Sequence, residues 1–443
     1  MSNAKAVSPL HPLQYAHGGL CLSGIQLGPL ARRVGTPCYV YSGDDMKARF
    51  QSFDRAFSSI PHRVCYAIKA NSNLEVLKLF RRLGSGFDIV SGGELFRVLK
   101  AGAAPGTIVF SGVGKTVEEI DYALGCGVGQ FNAESAEELK LLEGRARALD
   151  RTPRVSLRIN PNVDPRTHPY IATGLREHKF GIDVRLVPGL FRFSRSFKKA
   201  RLEGLGCHIG SQILSAGPFV EAARTLARHV HQLRRSGFRI STLDLGGGLG
   251  ISYQDKPAPT PDDLAQGMLP LLAPLGCELI FEPGRWLVGR AGVLLTRVLF
   301  LKRNGGKRFV IVDAGMNDLI RPTLYHAHHQ ILPVKRSPRP GRIRVDIVGP
   351  ICESGDFLAR ERRMEEVAAG DLLAVRDVGA YGFALASNYN SHPRCAEVMI
   401  QGKKTAIVRR RETYPDLVRG EKSTKFVSLP PPVLKGAGVI RTT

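Results

Sequence analysis

The sequence lacks paired cysteines, long apolar runs and a recognisable export signal. Its eight cysteines, at positions 21, 38, 65, 126, 207, 277, 352 and 395, form no C-x-x-C pair, which argues against a zinc ribbon and against a disulfide framework in so long a chain. The apolar stretch 291–302 is interrupted by Arg297 and Lys302, and a spanning helix needs roughly 20 apolar residues. We therefore expect a reduced, cytoplasmic protein that does not enter a membrane.

Negative charge is scarce, since 39 Asp and Glu residues stand against 63 Lys and Arg residues and give a formal net charge of +24. Such an excess raises the question of nucleic-acid binding. The basic residues are mostly dispersed, however, and no zinc-finger spacing, RNA-recognition signature or basic heptad helix accompanies them. We expect no nucleic-acid partner. An excess of positive potential can instead attract anionic metabolites.

Short β-like runs alternate with amphipathic, helix-like segments over the first two thirds of the chain. The helix-like segments carry acidic residues first and basic residues last, as the helix dipole favours. Eight alternating units of this kind predict a (β/α)8 barrel over residues 45–289. The eight predicted strands are 63–69, 86–91, 107–112, 129–133, 154–160, 202–210, 240–247 and 278–284.

The pattern changes near residue 290. From there to about residue 425 the sequence is rich in turn-bounded strand signals, which predicts a C-terminal all-β domain. The strand-like run 37–42 precedes the barrel, and we expect the N-terminal segment, residues 1–44, to pack with the β domain. Residues 426–443 read as a tail.

Polar residues occur at the carboxyl ends of the predicted barrel strands, where barrel enzymes build their active sites. Consecutive glycines allow backbone N–H groups to approach an anion closely. A lysine, a histidine, a carboxylate and a phosphate-binding loop at one barrel mouth point to pyridoxal 5'-phosphate, which lysine binds as a Schiff base and a carboxylate tunes at the ring nitrogen. The residues concerned are Lys69, Asp88, His208, Gly246, Gly247, Gly248, Glu282 and Arg285.

Nine motifs make the resemblance to a known family specific, among them "YAIKANSN", "CHIGSQI", "LDLGGGLGI", "EPGRWLVG" and "GPICESGDFLARER". With them the chain resembles the fold-type III pyridoxal-phosphate decarboxylases, and within these the diaminopimelate decarboxylases, from about residue 35 to about residue 415. The resemblance implies an alanine-racemase-like barrel followed by a C-terminal β domain, and pyridoxal 5'-phosphate as cofactor.

The resemblance also implies roles for individual residues. Lys69 resembles the lysine that bonds to the cofactor, and His208 the residue stacked on its ring, while Glu282 is similar to the carboxylate that faces the ring nitrogen. The remaining implied cofactor contacts are Asp88, Ser211, Gly246, Gly247, Gly248, Pro283, Gly284, Arg285 and Tyr381. The implied substrate contacts are Arg285, Arg321, Tyr325, Glu353 and Tyr381. Cys352 resembles a proton donor contributed across a homodimer interface.

The implied reaction is decarboxylation of meso-2,6-diaminopimelate at its D-configured carbon, which yields L-lysine and carbon dioxide and completes lysine biosynthesis. Two alternatives stay open: a decarboxylase of ornithine, arginine or a related amino acid on the same scaffold, and a non-catalytic pyridoxal-phosphate carrier or regulator. His326, His328 and His329 are poorly spaced to share one face, so we expect no metal site.

Overall fold

The protein is described by a computed structural model that covers residues 11–16, 18–165, 167, 179–254, 257–336 and 341–422. The predicted tail, residues 426–443, lies outside the described residues, as do residues 1–10 of the predicted N-terminal segment.

The chain begins with a small antiparallel sheet and a strand that leaves it. The elements of this part are β1 (Leu13–Ala16), β2 (Gly19–Leu22), β3 (Ile25–Gln26), α1 (Leu27–Val34) and β4 (Cys38–Ser42). Strands β1, β2 and β3 form a three-stranded sheet. All five residues of β4 are buried, because this strand enters a larger sheet that residues far along the chain complete.

A closed barrel follows. Its elements are α2 (Gly43–Ala56), β5 (His62–Ala67), α3 (Leu74–Arg82), β6 (Gly86–Ile89), α4 (Gly92–Lys100), β7 (Ile108–Phe110), α5 (Val117–Cys126), β8 (Gln130–Ala133), α6 (Ala136–Ala148), β9 (Arg154–Asn160), β10 (Ile182–Asp183), α7 (Val187–Ser194), β11 (Arg201–Gly206), α8 (Gly217–Arg235), β12 (Thr242–Asp244), α9 (Pro261–Leu272), β13 (Glu278–Phe281) and α10 (Arg285–Val288).

The barrel strands are all parallel and run in the order β9-β11-β12-β13-β5-β6-β7-β8, and the β8–β9 pairing closes the ring. The predicted (β/α)8 barrel is therefore confirmed. At the N-caps of several barrel helices, side chains such as those of Ser91 and Thr116 accept free backbone N–H groups, which fixes where these helices begin. The apolar faces of these helices pack on the strands and form the main core.

Several barrel strands end earlier than the sequence predicted. Strand β5 ends at Ala67, and a single 3-10 turn, Ile68–Ala70, carries Lys69. Strand β12 ends at Asp244, before the glycines. Lys69 and the three glycines thus lie just beyond the strand ends, where the backbone is free to turn away from the ladder.

The C-terminal region is β-rich, as predicted. It comprises β14 (Gly292–Asn304), β15 (Lys307–Val312), α11 (Arg321–Tyr325), β16 (Ile331–Pro333), β17 (Arg342–Val348), β18 (Phe357–Glu365), β19 (Leu372–Arg376), β20 (Ala396–Gln401), β21 (Lys404–Arg409) and α12 (Tyr414–Leu417). Its sheet has the order β18-β17-β15-β14-β4-β20-β21, with β19 also pairing β14 and β16.

The β region contacts the barrel next to Lys69. The backbone N–H of Tyr381 donates to the carbonyl of Ala70 over 2.8 Å, and the amide of Asn71 donates to the carbonyl of Gly379 over 3.3 Å. Strand β4 lies between β14 and β20 in the same sheet. The lysine turn is therefore fixed on one side by its own strand and on the other by the β region. Within the described residues, no helix is long and apolar enough to cross a membrane.

Candidate active site

The amine of Lys69 lies at the barrel mouth and forms an ion pair with the carboxylate of Asp88 on β6. Asp88 is fully buried, whereas the Lys69 side chain keeps 35% of its surface accessible, so the amine can be reached from outside. Burial alone would lower the pKa of Lys69, but the charges of Asp88 and Glu282 outweigh burial and raise it above its ordinary value. The second oxygen of Asp88, Oδ1, is buried and has no hydrogen-bond partner in the structure.

The ring of His208 follows β11 and has a defined protonation state. Its Nδ1 accepts the backbone N–H of Gly247 over 3.1 Å, which places the proton of the neutral ring on Nε2. Burial, followed by the charges of Arg158 and Lys69, holds the pKa of His208 well below its usual value. His208 is therefore a neutral, flat ring beside the glycine loop, as a residue that stacks on an aromatic cofactor must be.

The three glycines after β12 are required by close packing. A Cβ at Gly247 would lie 2.2 Å from the carbonyl oxygen of Glu282, and one at Gly248 would lie 2.4 Å from that of Gly210. Gly246 and Gly248 also have φ values of +63° and +107°, which L side chains rarely adopt. The N–H of Gly246 donates to Asp244 over 2.9 Å, and this internal hydrogen bond stabilises the conformation of the loop.

Glu282 directly follows β13 and belongs to a buried polar cluster. Its Oε1 accepts the hydroxyl of Ser111 over 3.2 Å. Burial first, and then the nearby carboxylates of Asp244 and Asp88, raise the pKa of Glu282 well above its ordinary value. Asp244, whose pKa burial also raises, accepts the side-chain amide of Asn132 over 2.8 Å. Burial is thus the main cause of the raised pKa of both carboxyls, Glu282 and Asp244.

The loop after Glu282 packs against the lysine turn. The carbonyl of Pro283 accepts the N–H of Ala67 over 3.2 Å, and a Cβ at Gly284 would lie 3.1 Å from that of Ala70. Glu282 and Lys69 thus belong to adjoining loops, and the packing keeps them in fixed relation.

Arg285 opens α10 and is almost fully buried, with 6% of its surface exposed. One terminal nitrogen donates to the Tyr253 hydroxyl and the other to the Ser211 hydroxyl, both over 2.9 Å. The guanidinium also lies 4.8 Å from the ring centroid of Tyr381, a cation–π distance. Its Nε is buried without a partner.

Arg321 opens α11 and is similarly buried, with 5% of its surface exposed. A terminal nitrogen lies 2.7 Å from Nε2 of His329, the guanidinium lies 4.9 Å from the Tyr253 ring centroid, and Nε is buried without a partner. Tyr325 follows one turn later on α11. The hydrogen-bond partners of both arginines within the described residues are neutral, so two buried positive charges face the barrel mouth without a counter-ion.

Cys352 and Glu353 lie apart from this group. Cys352 is exposed, and its backbone N–H donates to Asn390 over 2.8 Å. Glu353 accepts the hydroxyl of Tyr389 over 2.8 Å at the protein surface. Their loop is tied to α11, since the Thr323 hydroxyl donates to the carbonyl of Gly355 over 2.5 Å. The described residues show no hydrogen bond from Cys352 or Glu353 to Lys69, Arg285 or Arg321.

Asp244, Asn132 and Tyr253 were not predicted as site residues, and His329 was considered only as a metal ligand, although each contacts a predicted site residue. Asp244 lies two residues before the glycines, and its position at a strand end was a usable signal. The contacts of Tyr253 and His329 arise only through folding. The three clustered histidines have different surroundings. His326 is exposed, and His328 lies within hydrogen-bonding distance of the carbonyl of Tyr253. His329 lies within hydrogen-bonding distance of Arg321. No metal-binding group of three His, Cys, Asp or Glu side chains occurs in the described part of the chain.

The arrangement fits pyridoxal 5'-phosphate. It offers a reachable amine for the aldehyde, a neutral imidazole for the ring face and a buried carboxyl group, that of Glu282, for the basic ring nitrogen. The unpaired buried oxygen of Asp88 and nitrogen of Arg285 are polar atoms that a bound group would satisfy.

Comparison with known proteins agrees with this geometry. Residues 43–289 match the model of the pyridoxal-dependent decarboxylase family, pyridoxal-binding domain. The fold and the site thus define a pyridoxal-dependent decarboxylase of the barrel type. Relatives named diaminopimelate decarboxylase occur in Aquifex aeolicus, 47% identical with coverage of 92% of this chain and 96% of the relative, and in Pseudomonas aeruginosa, 49% identical with coverage of 92% and 98%. The chain belongs to the diaminopimelate decarboxylase family.

Solved structures agree with the family assignment. The diaminopimelate decarboxylase of M. jannaschii, in co-complex with L-lysine, superposes with a TM-score of 0.89 at 38% identity and covers 93% of this chain and 98% of its own. The alanine-racemase-like fold predicted from the sequence is therefore confirmed.

Proposed function

We propose that the chain removes the carboxylate from the D-configured carbon of meso-2,6-diaminopimelate and releases L-lysine and carbon dioxide. The observation that supports this most directly is the pair of buried guanidinium groups, Arg285 and Arg321, with no carboxylate partner among the described residues. A buried charge without a counter-ion is unfavourable, and the second carboxylate of diaminopimelate supplies one. Relatives that share almost half of the sequence are named diaminopimelate decarboxylase.

The proposed role of pyridoxal 5'-phosphate is to accept electrons. When bound, pyridoxal 5'-phosphate supplies an electron sink that accepts the electron pair left by the departing carboxylate. Its proposed contacts in this chain are Lys69, Asp88, His208, Ser211, Gly246, Gly247, Gly248, Glu282, Pro283, Gly284, Arg285 and Tyr381.

Side chains of the protein hold protons and orient the reacting groups. Asp88 holds the amine of Lys69 and keeps it aimed into the barrel mouth. Glu282, a carboxyl whose pKa burial and Asp244 raise, is assigned to the ring nitrogen of the cofactor. The neutral ring of His208 excludes water from one face of the site, and its Nδ1 cannot accept a proton while it accepts the Gly247 N–H.

Substrate recognition is assigned to the arginines and to groups on the β region. Arg321 and Arg285 bind the distal carboxylate by charge-assisted hydrogen bonds. Tyr325 and Tyr381 line the same space, and Glu353 pairs with the distal ammonium. Cys352 holds the proton that the reacting carbon receives. We propose the domain limits predicted from the sequence, residues 45–289 for the barrel and 290–425 for the β domain. With these limits Arg285 belongs to the barrel, and the other substrate-binding groups and Cys352 belong to the β domain.

The proposal includes a homodimer. Cys352 and Glu353 are exposed on a loop that makes no hydrogen bond to the chain's own Lys69 or arginines, and such groups can complete a site on a second copy. We also place the reaction in a reducing compartment such as the cytoplasm, since all eight cysteines are unpaired and six of them are buried. We propose no nucleic-acid partner.

The test is a substrate comparison. Purified protein reconstituted with pyridoxal 5'-phosphate is incubated separately with meso-diaminopimelate, ornithine, arginine and lysine, and carbon dioxide release is measured. We expect release from meso-diaminopimelate alone. Release from ornithine or arginine would support the alternative decarboxylase, and no release from any substrate would support a carrier or regulator.

A further inference from the structure

His329 lies four residues beyond α11 and is fully buried. Its Nε2 faces a terminal nitrogen of Arg321 at 2.7 Å, and its Nδ1 lies 2.8 Å from the carbonyl oxygen of Arg376. A guanidinium has only donors, so Nε2 is the acceptor. Nδ1 therefore carries the proton and donates it to the Arg376 carbonyl. The two contacts fix the tautomer and the orientation of the ring.

The ring is neutral in this environment. Burial, followed by the charge of Arg321, holds the pKa of His329 well below its ordinary value. Tyr253 packs edge-on against His329, with ring centroids 5.2 Å apart at 81°, and its ring faces the same guanidinium. Arg321 is thus oriented by two neutral groups.

A neutral partner differs from a carboxylate in one important respect. An aspartate or glutamate at this position would orient Arg321 equally well but would also neutralise it, and it would compete with a ligand carboxylate. A neutral imidazole acceptor fixes the direction of the guanidinium and leaves its charge available. Nε of Arg321 remains buried without a partner.

We infer that His329 is a positioning residue that orients Arg321 for the distal carboxylate, and that it thereby contributes to the choice of substrate. This inference rests on the proposed function. Tyr253 acts with it, because its hydroxyl holds Arg285 while its ring holds Arg321.

A matched pair of substitutions separates orientation from mere packing. In His329→Gln the amide oxygen reaches the position of Nε2 and can still accept from Arg321. In His329→Asn the shorter amide can still donate to the Arg376 carbonyl but cannot reach Arg321. We expect His329→Asn to raise KM for meso-diaminopimelate about 10-fold or more, with kcat within about 3-fold. We expect His329→Gln to stay within about 3-fold in both constants.

The second readout uses two inhibitors that differ only in the recognised group. L-Lysine retains the distal carboxylate, and cadaverine has the same carbon chain without it. We expect His329→Asn to raise the inhibition constant of L-lysine about 10-fold and that of cadaverine less than 2-fold. His326→Asn, which changes an exposed histidine in the same segment, serves as the control and leaves both constants unchanged.

The outcomes are distinguishable. Equal weakening of L-lysine and cadaverine, or an Asn variant that behaves like the wild type, would overturn the inference and leave the proposed function intact. If the Asn variant does not fold, the Gln variant still decides, since a changed ratio of the two inhibition constants in it would contradict the orientation argument. If the wild type releases no carbon dioxide from meso-diaminopimelate, the proposed function itself fails.

Discussion

At the scale of single residues, the candidate site contains two buried cations, Arg285 and Arg321, for which the described residues show no carboxylate partner. Lys69 has Asp88 as a partner, whereas Arg285 and Arg321 are surrounded by hydroxyl groups, aromatic rings and an imidazole. Desolvation makes such charges costly unless a ligand pairs with them. The site is therefore complementary to a substrate that carries more negative charge than an amino acid with a single carboxylate, such as ornithine.

The first prediction concerns the cofactor. Borohydride reduction of the holoenzyme, followed by peptide mass mapping, should place the pyridoxyl group on the peptide that contains Lys69, because its amine is the accessible one at the barrel mouth. Lys115 is a natural comparison, since its amine is fully buried and already donates to Glu138 over 2.6 Å. A pyridoxyl group on Lys115 or any other lysine would refute the assignment.

The second prediction concerns Arg321. Loss of a charge-assisted hydrogen bond costs roughly 1.5–3 kcal/mol, so Arg321→Ala should lower kcat/KM for meso-diaminopimelate about 10- to 200-fold. Arg321→Lys should restore only part of it, since an ammonium lacks the planar fork of a guanidinium. The cofactor absorbance should stay normal in both variants. Unchanged turnover in Arg321→Ala would refute recognition of the distal carboxylate by this residue.

The sequence predicted part of this arrangement, for physical reasons that differ between residues. Lys69 and Glu282 were predictable because strand ends of a parallel barrel converge on one face. Asp244 and Asn132 meet across the barrel interior only after it closes. His329 reaches Arg321 because the chain reverses at His326, which has a left-handed φ of 50°. That reversal depends on tertiary packing, and a local pattern does not encode it.

At the scale of elements, the loop between β15 and α11 has its own titrating group. Asp318 is buried, and burial raises its pKa to about 7. Asp313 raises this pKa further, whereas the Gly315 N–H, which donates to Oδ2 over 3.1 Å, and the charge of Arg411 act in the opposite direction. The carbonyl of Asp318 also accepts the Tyr39 hydroxyl over 2.7 Å. The loop that leads into Arg321 therefore contains a carboxyl that ionises near neutral pH.

A pH-dependent stability follows. An unfolded aspartate titrates near pH 3.9, so between about pH 4 and pH 7 the folded chain holds a proton that the unfolded chain has lost. Stability should fall as pH rises through this window, by up to about 1.4 kcal/mol per pH unit, and then level off. Asp318→Asn keeps an acceptor for Gly315 and removes the ionisation. We expect the melting temperature of the variant to rise relative to wild type between pH 5 and pH 7.5.

Thermal unfolding of both proteins across this range provides the measurement. Asp262→Asn, at an exposed position in the first turn of α9, is the control and should follow the wild type at every pH. A constant difference between Asp318→Asn and wild type at all pH values would contradict the assigned titration.

At the scale of the whole molecule, the barrel and the β region are built as one unit around the lysine turn. Strand β4 joins the N-terminal segment to the large sheet, and Tyr381 and Gly379 of the β region bond to the turn that carries Lys69. The exposed Cys352 loop makes no hydrogen bond to Lys69, Arg285 or Arg321 within the described residues, and the proposed homodimer is the level of assembly at which its role is tested.

The proposed sharing of the site between two subunits gives a prediction for mixed dimers. Lys69→Ala and Cys352→Ala should each be nearly inactive as homodimers. If Cys352 serves the partner's site, random exchange of the two variants makes half of the dimers mixed, and each mixed dimer has one intact site of two. Activity of up to about one quarter of wild type should then return. Demonstrated exchange without recovery would mean that each subunit works alone.

One measurement tests the account most directly. Reconstituted protein converts meso-diaminopimelate in deuterium oxide, and the products are followed by NMR, chiral chromatography of lysine and carbon dioxide release. The account predicts one equivalent of carbon dioxide and one of lysine, all of it L-lysine because the carboxylate leaves from the D-configured carbon. That carbon becomes the ε carbon and carries a single deuterium, because the proton donor exchanges with solvent. D-Lysine or cadaverine as the product, lysine without deuterium on the ε carbon, or no carbon dioxide would contradict it.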